Sequence, residues 1–278
     1  TDYATCIALL KSDDLGHEPD RVLPGDRSPR PEPGAGQSPL LAMRSRWLLL
    51  RDPPAHTRLR GVFQEAFGPR MIAGLRPRIQ SVTDQLVTAA QRKGEVDVVE
   101  DLAAPLPVMV IADMIGVPES DRPVLRRWSR DLADTVELAD SEEVSDRAGA
   151  ATTEFTAYLR DLARSRRRQP RQDLMSALVR AEDRGDALTE EELISNCILL
   201  LAAGHETTTN FIGNGVFALL RHPDQLEMLR ARPELGRSAI EELLRYDSPV
   251  QTTFRTVLRE TEFDGRRLER GASRSEEH

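Results

Sequence analysis

The sequence predicts a mainly α fold with a minor β component, threaded by one long central helix. Three observations predict it. From residue 57 onward, apolar residues recur mostly at helical spacing. Strand-like stretches are short and sit mainly near the C-terminal end, at 252–258 and 262–263. The segment 189–220 reads as a single helix, and at 1.5 Å per residue a continuous run of about 32 residues would be roughly 48 Å long.

The first 22 residues read as a short strand or turn followed by a helix, with apolar Ile7, Leu9 and Leu10. Pro24, Gly25, Pro31, Pro33, Gly34, Gly36 and Pro39 crowd the stretch 23–40, so it reads as a long loop. A short helix at 56–67 follows Pro53-Pro54, and 71–92 carries Met71, Ile72, Leu75, Ile79, Val82, Leu86 and Val87 at helical spacing. Val96-Asp97-Val98-Val99 reads as a short strand. The apolar helix 102–115 is stopped by Gly116 and Pro118. Two charged helices, 120–138 and 142–168, read as surface elements. The basic run Arg164 to Arg168 reads as a solvated helix end, with its cations near the negative pole of the dipole. Helices at 222–230 and 235–246 precede the strands, and Asp264-Gly265 marks a turn.

The long helix opens with a capping box: Thr189 at the cap and Glu192 three residues on. Its middle, 198–203, is apolar on every face, which places it through the centre of a domain. Then comes Gly204-His205-Glu206-Thr207-Thr208-Thr209-Asn210. Glycine costs about 1 kcal/mol inside a helix, and threonine is a poor helix former. Gly204 lets something bulky press on the backbone. Thr207 can turn its hydroxyl back to the carbonyl of Ala203 and loosen the helix. An acid beside an alcohol can relay protons into an apolar pocket. The residues by themselves fit a second account equally: a helix packed tightly at Gly204 with its polar groups satisfied locally. His205 reads as a structural polar residue, because no second His or Cys lies at ligand spacing beside it.

The 278 residues are 39% hydrophobic and 30% charged, enough to build a core. Lys and Arg number 38 against 46 Asp and Glu, a net charge of −8, which argues against general nucleic-acid binding. Cys6 and Cys197 share no metal-type spacing and suggest a reducing compartment. The N-terminal residues carry no signal pattern, and the longest apolar block, 197–203, is far shorter than a bilayer span. A soluble, cytoplasmic protein with neither membrane nor nucleic-acid partner is expected.

Four segments together carry a family resemblance: Ala203-Gly204-His205-Glu206-Thr207-Thr208, Glu242-Leu243-Leu244-Arg245, the run Arg51-Asp52-Pro53-Pro54-Ala55-His56-Thr57-Arg58-Leu59-Arg60, and Gln251-Thr252-Thr253-Phe254-Arg255. As an ordered set along the chain, at these separations, they resemble the cytochrome P-450 superfamily, the haem-thiolate monooxygenases, and their soluble bacterial branch. Glu-x-x-Arg is unspecific when taken by itself. The resemblance runs from about 1 to about 271 and implies a partial cytochrome P-450 domain whose long helix is the distal one, followed by a divergent tail, 272–278. It implies that Gly204 lets dioxygen and substrate approach, that Glu206 and Thr207 deliver protons, and that Thr208 supports them. Ala203, His56, Arg60 and Arg255 would contact haem, the last three through its propionates. Glu242 and Arg245 would form a buried ion pair. The implied reaction hydroxylates or epoxidises a small apolar molecule, with electrons from NAD(P)H through a ferredoxin or similar donor, which would dock near Arg58 and Arg60. The loop at 23–45 and the helices at 120–150 would shape the substrate pocket.

The sequence also departs from that family. Its iron ligand is a cysteine in a Phe-x-x-Gly-x-x-x-Cys-x-Gly loop, whose thiolate favours O–O cleavage. No such loop occurs here, and neither Cys6 nor Cys197 matches it, so no metal ligand is assigned. The family's N-terminal region is also unmatched. Two further expectations follow: a catalytically dead helical fragment that at most binds haem or a ligand weakly, or a helical interaction protein unrelated to haem.

Overall fold

The computed structural model describes residues 3–18, 38–137, 142–184 and 188–277. They form two compact units: 1–62 with 250–278, and Phe63–Pro249. The greater part of the loop expected at 23–40 lies outside the described residues.

The first unit contains α1 (Tyr3–Lys11), β1 (Leu15–Gly16), α2 (Pro39–Arg44) and the start of α3 (Ala55–Ala66). After the chain returns it adds β2 (Thr252–Val257), β3 (Thr261–Phe263), β4 (Arg266–Leu268) and β5 (Ser273–Glu277). The helix precedes the strand, the reverse of the order expected for 1–22. β1 is only two residues long, too short to show alternation, and exists because Leu15 and Gly16 pair with Val257 and Thr256 of β2. The antiparallel order is β1-β2-β5. The polar stretch Ser273–Glu277 carries no strand pattern, yet it pairs with β2 along its length through the backbone. Leu15, Val257 and Leu268 form the small core, with Leu9, Phe263 and Ala272 packed against it. β3 and β4 form the hairpin expected at Asp264-Gly265, whose φ values of 51° and 69° suit a primed turn.

The second unit is helical. It comprises α4 (Pro69–Lys93), a π-helical turn (Val98–Ala103), α5 (Pro105–Ile115), α6 (Arg122–Glu137), α7 (Glu142–Arg168), α8 (Leu174–Asp183), α9 (Glu190–Arg221), α10 (Pro223–Ala231) and α11 (Gly236–Tyr246). The long helix is α9, 32 residues in one piece, and its predicted capping box is formed: Thr189 Oγ1 accepts from Glu192 N at 3.2 Å, and Glu192 Oε2 from Thr189 N at 3.0 Å. α5, α6, α7, α8, α10 and α11 all pack on it. Its core stretch, Leu193 to Leu199 with Leu201, is buried.

Two expectations are corrected here, and one element is added. Val96 to Val99 is not a strand. Asp97 accepts from the N–H groups of Val99 (2.9 Å) and Glu100 (3.0 Å), starting the π-helical turn that Ala104 N closes on Val99 O at 2.9 Å. α8 has no counterpart among the elements expected from the sequence, and it buries Leu174, Met175, Leu178 and Val179. The basic run ending α7 is not uniformly solvated: Arg166 is 4% exposed and pairs with Asp173. α6 and α7 do lie on the surface, but each buries an apolar face, through Leu125, Trp128 and Leu132, and through Phe155 and Leu159.

Candidate functional site

Both units hold predicted site residues. In the second unit Ala203 to Thr208 lie on α9, where the continuous buried run ends at Leu199 and a side of the helix opens at Ala203 and Thr208, both exposed, while Glu242 and Arg245 lie on α11. The expectation that 198–203 is enclosed on every face therefore holds for Ile198, Leu199 and Leu201 and fails at Leu200, Ala202 and Ala203. Thr207 Oγ1 donates to the carbonyl of Ala203 at 2.6 Å, the predicted back-bond one turn earlier. Thr209 repeats the pattern and is shared: its hydroxyl lies 2.9 Å from His205 O and 3.2 Å from Ala103 O. Glu206 is partly buried beside Thr207. The polar run is thus an acid and an alcohol next to an open stretch of helix.

Gly204 lets a neighbouring side chain approach the helix backbone. A Cβ built there would lie 2.8 Å from Ile111 Cδ1, so α5 seats its isoleucine in the space the glycine leaves. Gly204→Val should cost about 1–3 kcal/mol by overpacking. Gly204→Ala should be close to neutral, because the isoleucine tip can yield and alanine regains about 1 kcal/mol of helix propensity. Urea denaturation of the two variants checks this ordering.

His205 is the structural residue the sequence suggests. Its Nδ1 lies 2.6 Å from Ser129 Oγ on α6, and the ring also hydrogen-bonds the backbone at Ala104. Burial, reinforced by Arg126 and Arg130, pushes its pKa down to about 4 against the opposing pull of the Ala104 bond, so the ring is neutral at pH 7.

Glu242 and Arg245 do pair, through two bonds of 2.7 and 2.8 Å, but not as a buried pair. Their side chains are 60% and 70% exposed. Leu243, between them in sequence, is the residue that approaches Gly215 of α9. The charged pair lies off that contact, and an exposed pair contributes little to stability.

In the first unit the predicted residues are His56, Arg60 and Arg255. His56 and Arg60 sit on the first turns of α3, the former half-buried and the latter exposed. Arg255 lies in β2, and its Nη1 reaches the neutral acceptors Thr253 Oγ1 (3.1 Å) and Phe254 O (2.9 Å). Sequence reasoning gave no role to Asp52 or His17. Asp52 is 6% exposed, and its carboxylate accepts from the backbone N–H groups of His17 (2.9 Å) and Glu18 (3.1 Å). Its own carbonyl accepts from His56 N at 3.0 Å, opening α3. The one available signal was its place in the run Arg51 to Arg60.

Both cysteines are buried. Cys197 is fully buried, and burial drives its thiol up to about 12. Cys6 is buried in α1. Among the described residues, no group of three His, Cys, Asp or Glu is placed to hold a metal ion, and no helix is long and apolar enough to cross a membrane.

A family model described as Cytochrome P450 matches residues 27–273. The biotin biosynthesis cytochrome P450 of Bacillus subtilis (strain 168) is 38% identical over 245 residues, 88% of this chain and 62% of that protein. The polyketide biosynthesis cytochrome P450 PksS of the same strain is 35% identical over 272 residues, 98% of this chain and 65% of that protein. The crystal structure of P450BioI in complex with hexadec-9Z-enoic acid ligated acyl carrier protein superposes with a TM-score of 0.86 at 36% identity, covering 98% of this chain and 68% of that one. The chain thus spans 62% and 65% of the length of these two curated relatives.

Proposed function

The chain belongs to the cytochrome P450 family, and on that premise we propose that it serves a monooxygenase reaction, the hydroxylation or epoxidation of a small apolar molecule. The electrons come from NAD(P)H through a ferredoxin or similar donor, for which Arg58 and Arg60 on α3 are the proposed docking charges. The observation that carries the reading is the Thr207 hydroxyl bonded to the Ala203 carbonyl on an open stretch of α9, with Glu206 beside it.

Haem supplies the oxygen-binding iron when bound. Two halves of its chemistry test differently against this chain. Its carboxylates suit the donors of the first unit: the Arg255 guanidinium, the His56 imidazole and the exposed Arg60. Its iron does not suit either cysteine, since Cys197 is sealed in the core and Cys6 lies buried in α1. The roles proposed for this chain therefore concern protons and carboxylates. Thr207 holds a proton at Oγ1 and spends it on Ala203 O at rest. The same oxygen keeps lone pairs that can accept from water or from a protonated Glu206. Glu206, only partly buried, can exchange its proton with solvent, and Thr208 keeps the exposed side polar. The back-bond also weakens the helix where a water could enter. Biotin and polyketide biosynthesis in the relatives' names, with the fatty acyl chain in the P450BioI complex, support an apolar carbon chain as substrate.

The test is Thr207→Ala in the haem-loaded enzyme that contains this chain. Product formed per NAD(P)H consumed should fall by about 100-fold, in the range of one lost proton-transfer group, with peroxide released instead. Unchanged coupling would sink the proton role.

A second reading rests on the cysteines: a helical haem or ligand binder without thiolate chemistry. Haemin is added to this chain, reduced and exposed to carbon monoxide. The red-shifted Soret band of a thiolate-bound haem would overturn this reading, and a spectrum typical of free or histidine-bound haem would support it.

A further inference from the structure

The first unit contains an imidazole that the site described so far does not use. His17 directly follows β1. The pairs Leu15↔Val257 and Gly16↔Thr256 fix the register, and the next step in it sets His17 opposite Arg255. Asp52 holds that place. Its buried carboxylate takes the N–H of His17 at 2.9 Å and of Glu18 at 3.1 Å. Its carbonyl takes the N–H of His56 at 3.0 Å. Glu18 completes the clasp: Oε1 accepts from Asp52 N at 3.2 Å and pairs with Arg51 Nε at 3.1 Å. Gly16 is required for this approach, because a Cβ there would stand 2.5 Å from Asp52 Oδ2 and 2.7 Å from Leu258 Cδ1. One buried carboxylate thus fixes the backbone at both His17 and His56, while the strand register brings in Arg255.

We propose that His17 is a further hydrogen-bond donor of the carboxylate-binding group formed with His56 and Arg255, and that Asp52 is its positioning residue. The inference rests on the reading of that group as a seat for haem carboxylates. The chemistry is consistent. Burial first, then Arg255 and His56, lower the pKa of His17, while Asp52 raises it. A half-buried neutral imidazole keeps one N–H to donate. An arriving carboxylate reverses the balance of charge around the ring and favours the imidazolium, which donates more strongly.

Metal-free protoporphyrin IX and its dimethyl ester separate the carboxylates from iron ligation. Both are titrated into the full chain and followed by fluorescence. The wild type should prefer the free acid. His17→Leu should weaken the free acid by about tenfold, the scale of one charge-assisted hydrogen bond, and leave the ester unchanged. His17→Gln, which keeps a donor, should recover most of the loss. Asp52→Asn should weaken the free acid selectively as well. If His17→Leu binds the free acid like wild type while Arg255→Leu does not, the role of His17 is overturned and the seat itself survives. If the wild type binds acid and ester equally, the seat reading fails instead. Should His17→Leu not fold, the wild-type imidazole is followed by nitrogen NMR. A His17 pKa that rises on adding the free acid but not the ester supports the proposal, and an unmoved pKa overturns it.

Discussion

Arg166→Met should destabilise the helical unit by about 3–5 kcal/mol, the cost of leaving a buried charge without its partner. Arg166 and Asp173 are 4% and 6% exposed at their side chains and 2.5 Å apart. Arg166 Nη2 also donates to the carbonyl of Gly116 at 2.5 Å, at the end of α5. Asp173 Oδ1 caps α8 by accepting from Ser176 N at 2.8 Å. The pair therefore joins the end of α7, the end of α5 and the start of α8. Gly116 has φ of 95°, and the place a Cβ would take is occupied by the Asp173 carboxylate. The double variant Arg166→Met/Asp173→Ser should be more stable than Arg166→Met, because serine keeps the cap and no charge is stranded. Urea unfolding followed by circular dichroism reads both. A loss under about 1 kcal/mol in the single variant would mean the pair behaves as a surface bridge.

The second large effect is a pH dependence at His205. Its pKa is about 4 in the fold against an ordinary 6.5. Between those values the unfolded chain binds the proton and the folded chain does not. Stability contributed by the neutral ring is thus present in full above about pH 6.5 and lost as pH falls toward about 4. At 1.36 kcal/mol per unit the ceiling is about 3 kcal/mol, and the remaining exposure of the ring trims it to about 2 kcal/mol. His205→Asn keeps a partner for Ser129 but does not titrate. The wild type should therefore lose about 2 kcal/mol more than the variant between pH 7 and pH 4.5, measured by urea midpoint at each pH. Equal losses would show that burial, with Arg126 and Arg130, does not hold the ring neutral.

Some features were legible because they are local. The capping box of α9 is two residues three apart, and Thr207 bonds a carbonyl four residues back on its own helix. The β3–β4 turn needs only Asp264 and Gly265. The ordered segments around His56, Ala203 to Thr208, Glu242 and Arg255 were enough to name the family, because motif order is a property of the chain.

The tertiary structure decided what depends on residues far away in sequence. A helical period reports which face is apolar, but not what presses on it. So the approach of Ile111 to Gly204, and the exposure of Glu242 and Arg245, could not be read from spacing. A charge run reports cations, but burial of one of them depends on where an acid lands. Arg166 is buried because Asp173 and the Gly116 carbonyl meet it, 7 and 50 positions away. The same holds for β1, two residues long and visible only through β2, and for His17, which Asp52 fixes from 35 positions away. The sequence by itself determined the family, the long capped helix and its acid-alcohol pair, since each is written within a few consecutive residues. The fold alone determined which glycine is approached, which charges are buried and which backbone segments Asp52 ties together, since burial and pairing are set by neighbours that the chain brings back from a distance.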